Sequence, residues 1–365
     1  MKSPDRHLHL GRAPRGIAGL ALLLVLATAA ACSWKPPLPA PLPVPPWQST
    51  QLRDHPLTGR VWLPGDDEFI TPAELFAQAA RSRYLLLGER HDNADHHRIQ
   101  AWMTAARIGR GARPALVMEM FRQDQQPAID AHLRARPGDS AGLGGAAGWS
   151  TSGWGNWSHY EPIVRPVVQN RLFLIAANIS RARVKEIYRK GYAALPRDRR
   201  GTLGLDRPMP AGILAAIDKE MADSHCGMVD ERKARPLTRI QVVRDATFAA
   251  AMIRGSAIGE AMALGAPGSG GAILIAGAGH ARTDRGVPLH LRRKGIGDAD
   301  IFSLGLIEVA EGKTEPGAYA ATYNAGRVPF DAVWFTPRWA REDPCEKFKK
   351  NTEKEVVIEH TSSGL

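Results

Sequence analysis

The chain of 365 residues is 44% apolar and 23% charged, with 36 Gly, 27 Pro and 3 Cys, proportions of an ordinary globular protein that exclude a disordered, collagen-like or disulfide-built chain. At ~100–200 residues per domain the length allows one large domain or two smaller ones, each able to bury its own core. The net charge of +11 is scattered, without the basic stripe interleaved with aromatics that nucleic-acid grooves use, so no nucleic-acid partner is expected.

Lys2, Arg6, Arg12 and Arg15 precede an apolar run from Ile17 to Ala31 that is short for a bilayer span and closes on small residues. This is the layout of a secretory signal over residues 1–31. Ala29-Ala30-Ala31-Cys32 resembles a bacterial lipobox, which would leave Cys32 as an acylated first residue; ordinary cleavage after an A-x-A site is the alternative. Residues 32–51 read as a tether, because Pro36, Pro37, Pro39, Pro41, Pro43, Pro45 and Pro46 forbid a helix. Extended polyproline at ~3.1 Å per residue would hold the folded part roughly 40 Å from its anchor. Residues 52–345 are expected to form one α/β domain and residues 346–365 a basic tail.

Along the domain, Thr71-Pro72 opens a helix over Ala73 to Arg81, a capping hydroxyl followed by a first-turn proline. The run Tyr84 to Leu87 is a strand and Asp95 to Ile108 a helix; Ala115 to Met118 is the next strand. Ala135 to Gly155 is a Gly- and Ser-rich loop carrying Trp149 and Trp154, followed by a helix over Pro162 to Asn170 and a strand over Leu172 to Ala176. Helices follow over Ala211 to Ser224 and Leu237 to Arg254, then a strand over Ala272 to Ala276. Ile301 to Leu306 is a weaker strand, and Ala332 to Phe335 is expected at a sheet edge. The four strong strands are continuously apolar, as strands buried on both faces must be. The expected fold is α/β: a mostly parallel central sheet flanked by helices, with helical and loop excursions capping the strand carboxyl ends.

Each strong strand is followed by polar or glycine residues: Gly88-Glu89-Arg90-His91, Glu119, Asn178 and Gly277-Ala278-Gly279-His280. Carboxyl ends of parallel strands line one crevice, so Glu89, His91, Glu119, Asn178 and His280 are aimed at one place. Two imidazoles and two carboxylates, Glu89, His91, Glu119 and His280, suit a divalent metal such as Mn, Co or Zn, and equally suit a polar ligand held by hydrogen bonds. His96 and His97 lie on the following helix, where at least one is expected at the surface. Tyr160 is either an anionic iron ligand or a packed ring with a bonded hydroxyl. Gln241, Arg244, Asp245 and Phe248 share one broad helix face. Gly277-Ala278-Gly279 lacks the third glycine of a dinucleotide loop, and no G-x-S-x-G, Walker or H-E-x-x-H motif is present. Cys226 and Cys345 are expected to pair if the chain matures in an oxidising compartment.

Seven ordered motifs carry a family resemblance: G-E-R-H-D-N-x-D-H-H (Gly88 to His97), M-E-M-F (Met118 to Phe121), W-x-x-Y-x-P-I (Trp157 to Ile163), A-A-N (Ala176 to Asn178), H-C-G-M (His225 to Met228), Q-x-x-R-D-A (Gln241 to Ala246) and A-G-x-G-H-A (Ala276 to Ala281). Together they resemble the ChaN-like lipoproteins of the haem-binding uptake and Tiki superfamily. The resemblance implies a lipid-anchored protein of the bacterial envelope, on the outer membrane, that binds haem or iron for uptake. Its G-E-x-H, second Glu and G-x-x-H type positions match Glu89, His91, Glu119 and His280; the residues themselves add Tyr160, Asn178 and Arg244 to the candidate haem site, with a homodimer and an outer-membrane haem receptor as candidate partners. The superfamily also contains metalloproteases and erythromycin-esterase-like proteins. A hydrolase or protease in which Glu89, His91, Glu119 and His280 hold a divalent ion is therefore the competing expectation, and turnover is left open.

Overall fold

The computed structural model describes residues 44–224, 229–262, 270–341 and 345. The signal, Cys32, most of the tether, Cys226 and the basic tail lie outside the described residues. Chain order begins with β1 (Val61–Leu63), β2 (Glu68–Ile70), α1 (Pro72–Ala79), β3 (Tyr84–Glu89), α2 (Ala94–Gly109), β4 (Ala115–Arg122), α3 (Gln126–Ala135), α4 (Leu143–Ala146), α5 (Trp157–Gln169) and β5 (Leu174–Asn178). It continues with α6 (Arg181–Lys190), α7 (Arg197–Leu203), α8 (Ala211–Ser224), α9 (Glu231–Met262), β6 (Ala272–Gly277), α10 (Ala278–Ala281), α11 (Gly286–Arg293), β7 (Ile301–Glu308) and β8 (Ala332–Thr336).

Among the described residues the strands form one sheet in the order β2-β1-β8-β7-β3-β6-β4-β5. The six strands from β8 to β5 run parallel, and the β1–β2 hairpin joins antiparallel to β8. Ala332 to Phe335 is therefore an interior strand, not an edge. The hairpin that covers it escaped the sequence pattern because its strands are three residues long and β2 is largely exposed.

Alternation along each strand sends side chains to two cores. Leu85, Leu87, Leu116, Met118, Ile273 and Ile275 pack under α1, α2 and α5, whereas Tyr84, Leu86, Val117 and Leu274 pack against Phe248 and Met252 of α9 and Leu291 of α11. Each such aliphatic side chain contributes ~1.5–3 kcal/mol on burial. A third cluster, including Ile187, Leu203, Ile217, Ile240 and Val243, sits under the α6–α8 excursion. The far edge is closed by one side chain: Gln126 donates from Nε2 to the Leu174 carbonyl (3.0 Å) and accepts from the Ala176 N–H (2.7 Å), satisfying groups that would otherwise invite another strand. No helix among the described residues is long and apolar enough to cross a membrane.

Boundaries differ from the sequence reading where caps override proline. Asn156 caps α5 by accepting from the Ser158 N–H at 3.1 Å, so the helix starts at Trp157 and runs through Pro162 and Pro166. Likewise α9 begins before Pro236. The packed chain also reaches back beyond residue 52, since the Gln48 and Ser49 N–H groups donate to Asp95 at 2.7 and 2.9 Å.

Candidate functional site

The parallel strands deliver their carboxyl ends to one crevice of about 1000 Å³. Glu89 ends β3 and is 2% exposed. Its Oε1 accepts from His91 Nδ1–H at 2.9 Å and lies 3.3 Å from the Tyr160 hydroxyl, while Oε2 lies 3.2 Å from His97 Nε2. Burial favours the neutral acid, but the charges and hydrogen bonds of His97 and His91 outweigh it and lower the Glu89 pKa to about 2.

Glu119 occupies β4 where its register with β5 breaks down after Met118. The Gly277 N–H donates to Glu119 Oε2 at 2.8 Å, and His280 Nε2 stands 3.4 Å from Oε1. Burial opposes its ionisation, yet His280 and His91 hold this carboxylate far below its ordinary range. His280, on the short helix α10, bonds through Nδ1 to Asp245 Oδ1 at 2.5 Å, with Gln241 Nε2 3.1 Å from the same nitrogen and the Phe248 ring edge-on at 4.9 Å. Burial again opposes the charge, but Glu119 and Asp245 raise its pKa to about 10. His91 completes the row with Nε2 at 4.0 Å from Glu119. The result is an alternating series of carboxylates and imidazoles, Asp245–His280–Glu119–His91–Glu89–His97, in which each buried carboxylate stands beside an imidazole, as low dielectric demands.

His91 is the most open of this row to the crevice, with its side chain 42% exposed. Its Nδ1 is committed to Glu89, so Nε2 is the end available to a ligand. Burial opposes protonation, whereas Glu119 and Glu89 raise its pKa. The ring lies against Gly277, where a Cβ would stand 2.9 Å from its Cε1 and Nε2, and the Trp154 ring meets it edge-on at 4.8 Å. Gly88 is needed for a similar reason: a Cβ there would meet Ala281 Cβ at 2.9 Å.

The remaining predicted residues take other places. Asn178 Nδ2 donates to the Glu119 carbonyl at 3.0 Å, so it fixes the β4 backbone. Tyr160 is fully buried, donates to the His91 carbonyl at 2.9 Å and packs on the His97 ring at 4.1 Å. Burial and Glu89 push its phenol far up and keep it neutral, the packed-ring form of the two considered. Arg244 is half-buried, and among the described residues its Nε has no hydrogen-bond partner; on that helix Asp245 and Gln241 reach the cluster instead. Both His96 and His97 are buried, at 0% and 1% exposure, because the turn after β3 packs them on two sides. His96 accepts from the Arg90 N–H at 2.9 Å and donates to Thr336 Oγ1 at 2.8 Å, and burial lowers its pKa to about 3.

The crevice is lined on one side by Leu306, Ile307, Val309, Tyr319, Tyr323 and Met221, and it carries the cations Arg90, Lys313, Arg338 and Arg341. Arg341 is tied to Glu308 and Asp92. Sequence reasoning missed these cations because they come from segments far apart in the chain. The expected divalent-metal set finds no support: among the described residues, no three His, Cys, Asp or Glu side chains converge on a metal position. The physical reason is that these groups face one another and not a shared point. Glu119 turns both oxygens to His280 and the Gly277 N–H, Glu89 Oε1 is taken by His91 while its Oε2 lies 3.2 Å from His97 Nε2, and His280 Nδ1 is spent on Asp245. Cys345 is disulfide-bonded, and Cys226, its expected partner, lies outside the described residues.

Over residues 75–291 the chain matches the family described as haem-binding uptake, Tiki superfamily, ChaN. Among solved structures it is similar to one described as cofacial haem binding to ChaN of Campylobacter jejuni, with a TM-score of 0.54, 18% identity, and coverage of 75% of this chain and 95% of that one. A succinoglycan biosynthesis protein matches at a TM-score of 0.29 and 10% identity over 65% of this chain and 68% of that one, too distant to carry an argument. No curated protein matches the sequence. The match spans more than half of the chain, so the chain belongs to the ChaN family of haem-binding uptake proteins.

Proposed function

We propose that this ChaN-family chain binds haem in the crevice at the strand carboxyl ends, with His91 as the protein's ligand to iron. The observation that carries the reading is the state of His91: an imidazole fixed through Nδ1 by buried Glu89, with Nε2 turned to a crevice that sets an apolar wall beside several charged side chains. A carboxylate on the far ring nitrogen fixes orientation and raises ligand basicity. The pocket fits the group, since a cavity of about 1000 Å³ lies at the upper end of the range for ligand sites. Its apolar wall suits a porphyrin face, and Arg90, Lys313 and Arg338 suit the propionates. When bound, haem would supply the iron chemistry; the residues orient it, exclude water from one face and neutralise its carboxylates.

Haem handling in the envelope extends this reading. The signal-like start and Cys32 support a lipid anchor at the outer membrane, and the proline run supports a tether long enough to reach a haem receptor. Cofacial haem binding by the ChaN of Campylobacter jejuni favours a second copy of the chain as the partner that covers an exposed haem face. Titration of the apoprotein with hemin, followed at the Soret band, tests the site. Wild type should saturate, R90A/R338A should bind ~tenfold more weakly through lost charge-assisted contacts, and R171A, before the amino end of β5 and outside the crevice lining, should be unchanged. Equal binding by all three would place haem elsewhere. Fatty-acid labelling that persists in C32A would remove the anchor.

A further inference from the structure

Arg282 and Arg285 lie behind the crevice wall at 1% and 3% exposure. Two buried cations so close together need carboxylates, because an uncompensated buried charge costs several kcal/mol (~3–5 when a partner is removed). Arg282 has Asp284, which takes its Nε at 2.9 Å and Nη2 at 2.7 Å, and it also donates to the Tyr323 carbonyl at 2.9 Å. Arg285 is paired with Glu220, whose Oε2 also lies 3.4 Å from Arg282 Nη1. Glu220 is no part of the sheet. It comes from α8, on the excursion with its own small core, and it lines the crevice beside Met221. Its other oxygen faces Gly279, one residue from His280, and a Cβ at Gly279 would touch it at 3.4 Å.

We propose that Arg282 and Arg285 form a carboxylate-binding subsite of the crevice, that Glu220 fills it in this state, and that a ligand carboxylate displaces Glu220 and releases α8. On the haem reading, on which this identification of the ligand rests, the carboxylate is a propionate. The exchange must be one carboxylate for another, since moving Glu220 away with nothing in its place leaves Arg285 buried without its anion. A porphyrin without free carboxylates therefore cannot open the subsite. The helix that carries Glu220 is also held to α9 by Asp218, which accepts from the Thr238 hydroxyl, and Asp223 accepts from Asn324 Nδ2 at 3.2 Å, so release of Glu220 loosens α8 without detaching it from α9.

Hemin and hemin dimethyl ester should be titrated into wild type, E220Q and R285A. E220Q removes the competing anion and should tighten hemin ~tenfold, the worth of one charged hydrogen bond, leaving the ester unchanged; R285A should weaken hemin alone. Hemin bound no more tightly by E220Q, or both porphyrins shifted equally, would overturn the subsite. Hydrogen exchange across Ala211–Ser224 reads the same exchange without iron: sodium propionate should raise it saturably in wild type and not in R285A. Absence of Soret binding in every variant, with that anion response intact, would overturn the haem reading and keep the subsite. A silent α8 would overturn the subsite whatever hemin does.

Discussion

Asp245→Asn tests the buried charge series at its most enclosed end. The substitution keeps size and an acceptor oxygen but removes the charge opposite His280 Nδ1, 2.5 Å away. Burial opposes the His280 cation, yet Glu119 and Asp245 together lift its pKa from the ordinary 6.5 to about 10. At ~1.4 kcal/mol per pKa unit, that lift corresponds to about 5 kcal/mol shared by two carboxylates. Loss of one should cost about 2–3 kcal/mol, or more because burial has been overcome as well. In a domain of this size this is roughly 3–5 °C in Tm. The folded pKa lies above the unfolded one, so the contribution is complete below about pH 6.5 and is lost as pH rises through about 10. Guanidinium unfolding of wild type and D245N near pH 7 and near pH 10 should show a gap that closes at the higher pH. Equal stability near neutrality, or a gap that persists unchanged to high pH, would refute the charge pairing.

Y160F removes the donor to the His91 carbonyl and the contact with Glu89; it should cost ~1–3 kcal/mol and leave the Soret maximum in place, whereas a changed band would make the tyrosine an iron ligand. G277A puts a methyl group 2.9 Å from the His91 ring, so the ring must turn; hemin affinity should fall, and unaltered affinity would mean that His91 is not the ligand. Glu89 is depressed to about 2, so its contribution is present above the unfolded carboxylate pKa and is lost as pH falls through about 2; acid unfolding of E89Q should be flatter than that of wild type over that window, and parallel curves would contradict it. Cys226 should pair with disulfide-bonded Cys345; thiol counting after denaturation should find no free pair, and in the chain-entropy account C345S should lose up to about 4–5 kcal/mol.

The parallel strands were legible because a strand buried on both faces is apolar at every position, and Tyr84 to Leu87 or Ala272 to Ala276 can be little else. Their polar ends were legible for the same reason: Glu89, Glu119 and His280 interrupt or follow runs that should remain apolar. What one sequence hid was pairing across distance. At least one of His96 and His97 reads as a surface residue, yet Thr336 and the Arg90 N–H hold His96, and Tyr160 and Glu89 close around His97. Arg244 and Asp245 are neighbours on α9, and only packing against α10 selects Asp245 as the partner of His280. The edge position assigned to Ala332–Phe335 failed because a hairpin from the opposite end of the domain adds beyond it.

Haem ligation by His91 is tested most directly by the visible and electron paramagnetic resonance spectra of hemin-loaded wild type and H91A, with and without added imidazole. Wild type should show an imidazole-ligated ferric haem, H91A should lose that signature and bind hemin more weakly, and free imidazole should restore it. An H91A spectrum and affinity identical to those of wild type would contradict haem ligation at this crevice.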